Sequence, residues 1–404
     1  MRNIAVIGAG TMGAGIAQVA AAHGCNVYLL DVSREVLDRA LTSIGEWLAR
    51  AVAKGKLTAA ERDATLARVI PTEQMRALSA VELAIEAVVE RLDVKRQIFQ
   101  ALEAHTPGSA VFATNTSSLS VSKIADTVSD PTRVIGLHFF NPAPLMPLVE
   151  VIAGIKSDPE VLDSATQIVR SWGKVTVRAK DTPGFVVNRV ARGFYLEALR
   201  MLGEGVADIQ AIDASMRDLG GFKMGPFELM DLVGLDINYA VSTSVWEQLG
   251  RPPNLTPHPI QQQLVEQKRL GRKTGRGFYR YDTRTPAPDV QPEGSARPPP
   301  GAVMLAVQAF CARATERSAA DAQKYIFARI LATIMNEATL AFDEAVATAD
   351  DIDIAMEQGA NYPLGPLKWA QRIGRPAVVA LLEALNAASA DKRFTPAASL
   401  VAGR

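Results

Sequence analysis

Apolar residues along this chain come in two rhythms. In residues 1–182, short unbroken apolar runs alternate with longer stretches of helical spacing. Asn3–Ile7 and Asn26–Asp31 read as buried strands, and Val81–Val88, Val111–Thr114, Val134–His138, Leu148–Ile152 and Val175–Val177 read the same way. Between them, Thr11–His23, Leu92–Ala104 and Val161–Trp172 carry a helical pattern. This alternation predicts an α/β, Rossmann-type, doubly wound parallel sheet. Residues 34–68 break the pattern: a charged, Ala-rich helical stretch interrupted by Gly55 predicts a helical hairpin projecting from the sheet. After Asp181-Thr182-Pro183-Gly184 the strand signals stop, and residues 185–265 read as nearly all helix.

The helical pattern then repeats. A shift of 140 aligns residues 188–229 with 328–369 without a gap, and eleven of those 42 positions are identical. Arg189/Arg329, Glu197/Glu337, Asp213/Asp353, Met216/Met356 and Gly225-Pro226/Gly365-Pro366 are among them. Such a repeat predicts two equivalent all-α domains packed about a pseudo-twofold axis. The expected domains are 1–182, nucleotide-binding; 183–282, a helical substrate or dimerisation domain; and 301–404, its second, degenerate copy. Between the copies, residues 284–300 hold Pro286, Pro288, Pro292, Pro298, Pro299 and Pro300, which predicts an extended, semi-rigid tether. Asn188 becomes Ala328 in the second copy, and nothing after that copy matches Gly271–Tyr279. The second copy is therefore expected to pack against the first without forming a second site.

Composition narrows the function. The chain is 48% hydrophobic, and its 43 Lys and Arg balance its 43 Asp and Glu. No basic face is expected, which argues against a nucleic-acid partner. Cys25 and Cys311 form no disulfide framework or zinc spacing, so a reducing, cytoplasmic setting and no metal are expected. A first strand opening at residue 3 or 4 leaves no room for a signal peptide. No apolar run reaches about 18 residues, so no membrane span is expected.

The first turn carries the cofactor signal. Gly8-Ala9-Gly10-Thr11-Met12-Gly13 follows a strand and opens a helix. Gly8 permits the tight turn, Gly10 lets a pyrophosphate approach the backbone, and Gly13 lets helix and strand pack closely. The helix N-terminus, at Thr11 and Met12, offers free N–H groups to phosphate. Asp31, at the end of the second strand, is placed to accept both adenine-ribose hydroxyls and to repel a 2′-phosphate. The pattern predicts NAD rather than NADP.

Of four histidines, His23, His105 and His258 read as surface or capping residues. His138 ends an apolar strand in Leu137–Pro142, where open α/β sheets bind ligands. Glu150 sits inside the run Leu148–Ile152, where a carboxylate needs a partner. A His138–Glu150 pair would satisfy both groups, either as a catalytic base with its anchor or as a buried structural pair. Thr114–Leu119 is rich in short donors at the same sheet edge, with Ser117 or Ser118 serving as helix cap, substrate contact or both.

These segments, with Glu86–Glu90, Asp181–Arg189 and Gly271–Tyr279, resemble the L-3-hydroxyacyl-CoA dehydrogenase family over residues 1–282, with 3-hydroxybutyryl-CoA dehydrogenases nearest. The resemblance implies NAD-dependent oxidation of (S)-3-hydroxyacyl-CoA, of short or medium chain, to 3-ketoacyl-CoA. It implies His138 as base, Glu150 as its orienting partner, and Ser117 and Asn188 as hydrogen-bonding groups at the reacting oxygen. It also implies that Glu90, Lys95, Asn115, Asn141 and Lys273 lie beside the NAD. Lys54 and Lys56, on the hairpin, are expected either to meet CoA phosphates or to be a solvated charged loop. The extra helical copy resembles the duplicated C-terminal region of multifunctional fatty-acid-oxidation enzymes. It leaves open a monomer with an internal pseudo-dimer or a homodimer. Two other readings stay open: a dehydrogenase of a free hydroxy or sugar acid, and a crystallin-like structural protein that keeps the fold. The intact Ser117–His138–Glu150–Asn188 set argues against the latter.

Overall fold

In the computed structural model, which describes residues 1–282, 285–292 and 299–402, the chain divides into two units, Met1–Phe185 and Val186–Arg404. The first holds eight strands: β1 (Asn3–Ile7), β2 (Asn26–Leu30), β3 (Val69–Thr72), β4 (Leu83–Glu86), β5 (Val111–Thr114), β6 (Val134–Phe139), β7 (Leu148–Ala153) and β8 (Val175–Lys180). Their order is β3-β2-β1-β4-β5-β6-β7-β8. The chain winds outward from β1 to β3, then returns to β4 and winds the other way. The reversal leaves a crevice at the carboxyl ends of β1 and β4, where such sheets take ligands.

Two features depart from the sequence pattern. Val69–Thr72, outside every predicted strand, is an edge strand paired with β2. Its Pro71 hides the signal, and an edge tolerates a proline. Second, β6 and β7 are antiparallel. The connecting residues 140–147 are fewer than the dozen or more that a parallel crossover needs.

The helices of this unit are α1 (Thr11–Ala22), α2 (Arg34–Ala53), α3 (Ala59–Ala67), α4 (Leu92–His105), α5 (Val121–Ala125) and α6 (Pro159–Ser171). The expected hairpin is α2 and α3, turned at Gly55. It does not simply project. Leu37, Ala40, Ile44 and Leu48, spaced three or four apart, bury one stripe of α2 in the core beside Ile16 and Val19 of α1. The opposite face of α2 and the tip, with Lys54 and Lys56, are exposed.

The second unit holds α7 (Val187–Val190), α8 (Arg192–Gly203), α9 (Ile209–Gly220), α10 (Pro226–Val233), α11 (Leu235–Gln248) and α12 (Pro259–Glu266). The repeat supplies α13 (Gly301–Ala314), α14 (Asp321–Asp343), α15 (Ala349–Gly359), α16 (Pro366–Ile373), α17 (Arg375–Ala388) and α18 (Ala398–Ala402). The two copies share one unit, where the repeat predicted two domains, because α8 and α14 pack on each other. They approach so closely that a Cβ on Gly193 would lie 3.2 Å from the Ile334 backbone. By length and composition α14 could cross a membrane, against the expectation from run lengths; in this fold it is mostly buried.

The repeat is visible in the ion pairs. Arg189 Nε meets Glu337 at 2.7 Å, and its repeat mate Arg329 meets Glu197 at 2.5 Å. Arg189 also reaches Glu344, and Arg329 reaches Glu204, again one repeat apart. Asp213 accepts the amides of Phe227 and Glu228 at the start of α10, as Asp353 accepts those of Leu367 and Lys368 at α16.

The expected tether is partly packed. Strand β9 (Tyr279–Arg280) pairs antiparallel with β10 (Ala287–Pro288), and Asp289 accepts from Arg269 at 2.6 Å. Pro298 lies outside the described residues.

Losing one member of a buried pair strands the other. Arg329→Met should cost about 3–5 kcal/mol in chemical denaturation, and adding Glu197→Leu should recover part of that loss. Burial raises the Glu197 carboxyl, but Arg329, Arg393 and Arg200 override it and hold it at about 2. A depressed folded-state value means that this stabilisation is complete above pH 4.5 and is lost as pH falls towards 2. Acid unfolding of Glu197→Gln should lack that component.

Candidate active site

The turn after β1 is closed by its own backbone. Gly8 sits at φ +97°, and a Cβ there would lie 2.7 Å from the Ala87 carbonyl oxygen. A Cβ on Gly13 would fall 1.7 Å from the Gly8 oxygen, so the start of α1 and the end of β1 touch. Gly10 differs: nothing lies within 4 Å of a Cβ there. It caps α1 with no side-chain bond, so the amides around Thr11 and Met12 remain available to an anion. Asp31 accepts from the Ala9 amide at 2.8 Å and the Ser33 amide at 3.2 Å. The carboxylate thus braces the glycine loop and keeps lone pairs for a ribose. This is a cradle that fits a dinucleotide. A cavity of about 390 Å³ opens beside it, lined by Gly10, Thr11, Ser43, Trp47, Asn141 and Pro144. The His138 ring does not line that cavity.

The antiparallel turn between β6 and β7 builds the second feature. It places His138 directly opposite Glu150 in register, with Nδ1 and Oε2 2.6 Å apart. Glu150 is 0% exposed and His138 6%. Phe140 and Phe185 pack against the imidazole, with centroids 4.5 and 5.7 Å away. A proton on Nδ1, shared with the carboxylate, leaves the Nε2 lone pair as a base.

A third cluster holds the loop after β5. Glu90 accepts from Thr116 Oγ1 at 2.6 Å, the Ser117 amide at 2.9 Å and the Ser118 amide at 3.0 Å. Lys95, 1% exposed, lies 3.2 Å from Glu90 and 2.7 Å from Glu86. Burial raises the Glu90 carboxyl, but Lys95 and these donors outweigh it and hold it below its ordinary value. Lys95, expected beside the cofactor, is therefore enclosed by carboxylates and acts on that edge through Glu90. Asn115 Oδ1 accepts the Phe139 amide at 2.8 Å, fixing the end of β5 to β6. The cap of α5 is Ser120, not Ser117 or Ser118. Asp181 strengthens it by accepting from the Val121 and Ser122 amides.

In the helical unit, Asn188 lies on α7. Lys273 pairs with Asp236, with Nζ 2.5 Å from Oδ1. The Lys273 loop is clipped by Asp231, which accepts the Phe278 and Tyr279 amides, each at 2.9 Å. Gly271 and Gly277 press on this clip: a Cβ on either would lie 2.3 and 2.0 Å from Asp231. Glu86 and Asp181 belong to segments that carry the family resemblance but have no role assigned from sequence, and Asp231 carries no sequence signal. Glu86 had a usable signal, a carboxylate closing an apolar strand, the same signal that marked Glu150. Among the described residues no metal-ligand cluster occurs.

Comparison with known proteins agrees with this geometry. The family model for the 3-hydroxyacyl-CoA dehydrogenase NAD binding domain matches residues 3–182. The model for the 3-hydroxyacyl-CoA dehydrogenase C-terminal domain matches 184–281 and again 325–402, the two repeats. The 3-hydroxyadipyl-CoA dehydrogenase of Escherichia coli (strain K12) is 40% identical over 99% of this chain and 97% of its own length. The mitochondrial hydroxyacyl-coenzyme A dehydrogenase of Rattus norvegicus is 40% identical over 70% of this chain and 91% of its own. The crystal structure of 3-hydroxybutyryl-CoA dehydrogenase from Escherichia coli K12 superposes with a TM-score of 0.89 at 39% identity, covering 100% of this chain and 98% of the other. The dinucleotide is NAD.

An unpaired charge clash at Asp31 should favour NADH over NADPH by at least about tenfold in kcat/KM. Asp31→Ser should narrow that ratio. Equal use of NADPH by the parent protein would overturn the assignment.

Proposed function

The chain belongs to the 3-hydroxyacyl-CoA dehydrogenase family, and we propose that it interconverts (S)-3-hydroxyacyl-CoA and 3-ketoacyl-CoA of short or medium chain. The observation that carries this reading is the His138–Glu150 pair, 2.6 Å apart at the ligand-binding edge of the sheet. NAD, when bound, supplies the acceptor for the hydride that leaves substrate C3. His138 takes the 3-hydroxyl proton at Nε2 and returns it in the reverse direction. Glu150 fixes the ring through Nδ1 and stabilises the imidazolium that forms. Ser117 and Asn188 hydrogen-bond the oxygen as its charge develops; the grip of Glu90 on the Ser117 amide supports the first assignment, and family resemblance supports both.

Gly8, Gly10, Thr11, Met12, Gly13 and Asp31 hold the nucleotide. Glu90, Asn115, Asn141 and Lys273 complete its surroundings, with Lys95 acting behind Glu90. The exposed Lys54 and Lys56 meet the phosphates of CoA. Relatives named for 3-hydroxybutyryl-CoA and 3-hydroxyadipyl-CoA support a short chain, as in a β-oxidation-type step of fatty-acid metabolism. We assign one active site per chain, because Ala328 stands at the Asn188 position of the second copy. The reciprocal Arg189–Glu337 and Arg329–Glu197 pairs, made within one chain, favour a monomer; the balanced charge argues against a nucleic-acid partner, and the two separate cysteines suit a reducing, cytoplasmic setting.

Acetoacetyl-CoA reduction, followed by NADH consumption, tests the reading. His138→Gln and Glu150→Gln should each lower kcat by about 10²- to 10⁴-fold with NADH affinity nearly unchanged. A near-parental rate in either variant would make the pair structural.

A further inference from the structure

The loop that carries Lys273 is held from two sides. From α10, Asp231 accepts the Phe278 and Tyr279 amides and, at 3.0 Å, the Tyr281 hydroxyl. From the other side comes the tether that joins the two helical copies. Beside the β9–β10 pairing, the Asp289 amide donates to the Phe278 carbonyl at 2.8 Å. The Asp289 side chain, 11% exposed, gathers three arginines. Arg269 Nη2 lies 2.6 Å from Oδ2, Arg276 Nε 2.5 Å from the same oxygen, and Arg280 Nε 3.7 Å from Oδ1. Arg269 Nη2 also donates to the Gly277 carbonyl at 2.8 Å and the Asp289 carbonyl at 3.2 Å, so it spans loop and tether.

Three guanidinium groups drawn this close repel one another unless a negative charge sits among them. Among the described residues, no other carboxylate forms an ion pair with any of the three. Burial raises the Asp289 carboxyl, but Arg276, Arg269 and Arg280 outweigh it and hold it below its ordinary value. The anchor is therefore charged at neutral pH.

One of the three arginines closes the turn that bears Lys273. Gly271 and Arg276 exchange backbone hydrogen bonds of 2.9 and 3.1 Å around the short turn Arg272–Thr274. A pull on Arg276 thus acts on Lys273 through that turn. The fit leaves little slack: Lys273 reaches Asp236 across Gly234, where a Cβ would lie 3.0 Å from Nζ. Asp289 lies between the two stretches that match the family's C-terminal domain, so this anchor comes from the tether and from neither copy.

We propose that Asp289 is a positioning residue for the cofactor: by drawing Arg269, Arg276 and Arg280 together, it holds the Lys273 loop in the form that receives NAD. The tether is then part of the support of the site as well as a connection between copies. This inference rests on the placing of Lys273 beside NAD in the reading above.

The test measures NADH dissociation constants by fluorescence titration of the full chain, with KM for NADH and kcat in acetoacetyl-CoA reduction. Asp289→Asn should weaken NADH binding about three- to tenfold and raise KM in step, with kcat at saturating NADH within about twofold of the parent. Asp289→Glu should recover part of the loss. In a Lys273→Gln background, Asp289→Asn should add little, because the loop then has no lysine to place. A tether that only stabilised the fold would lower the melting temperature in both backgrounds and show no such coupling. In the cofactor-free protein, Asp289→Asn should speed tryptic cleavage after Lys273 severalfold. If Asp289→Asn does not fold, Arg276→Gln, which removes a half-exposed partner, is read in the same ways. NADH affinity unmoved by Asp289→Asn, or weakened equally in the Lys273→Gln background, overturns the inference. If Lys273→Gln itself leaves NADH affinity unchanged, the placing of Lys273 falls and the inference with it, while acetoacetyl-CoA reduction by the parent still upholds the dehydrogenase reading.

Discussion

A carboxylate taken out of water must be surrounded by donors or it destabilises the fold by several kcal/mol. This protein buries many, and each organises its neighbourhood. Glu150 orients an imidazole. Glu86 gathers Lys95, Thr114 and the Val88 amide at the end of β4. Asp213 and Asp231 tie down helix starts and a loop. Glu197 and Glu337 join the two helical copies. The reacting edge is built from such carboxylates, so the side chains there are held before any ligand arrives.

Much of this was legible because burial leaves a trace in sequence. A carboxylate within an apolar run is conspicuous, as at Glu150. The glycine loop was legible because Gly8 and Gly13 stand where any side chain would collide with backbone. The repeat was legible because Arg189, Glu197 and their mates cannot change singly without stranding a charge. Other features left no such trace. Strand β3 carries a proline and only four residues, too little for a period to emerge. The direction of β7, by contrast, was there to be read, since the predicted strands Val134–His138 and Leu148–Ile152 leave too few residues between them for a parallel crossover. The enclosure of Lys95 follows from where three segments meet, and a lysine on a helix face usually signals solvent.

The two helical copies are symmetric in their skeleton and unequal in their detail. Glu197 is surrounded by Arg329, Arg200 and Arg393, and its carboxyl is held low. Its mate Glu337 has Arg189 and the Asn254 amide, and burial raises it. The shared geometry comes from the paired helices α8 and α14; the inequality comes from the loops each copy carries.

That inequality has an evolutionary meaning. Two identical subunits must accept every mutation twice, once on each side of their axis. Carrying both halves on one polypeptide removes that obligation. One half can keep Asn188 while the other drifts to Ala328. Fusion here converts a symmetric scaffold into one whose halves can specialise independently.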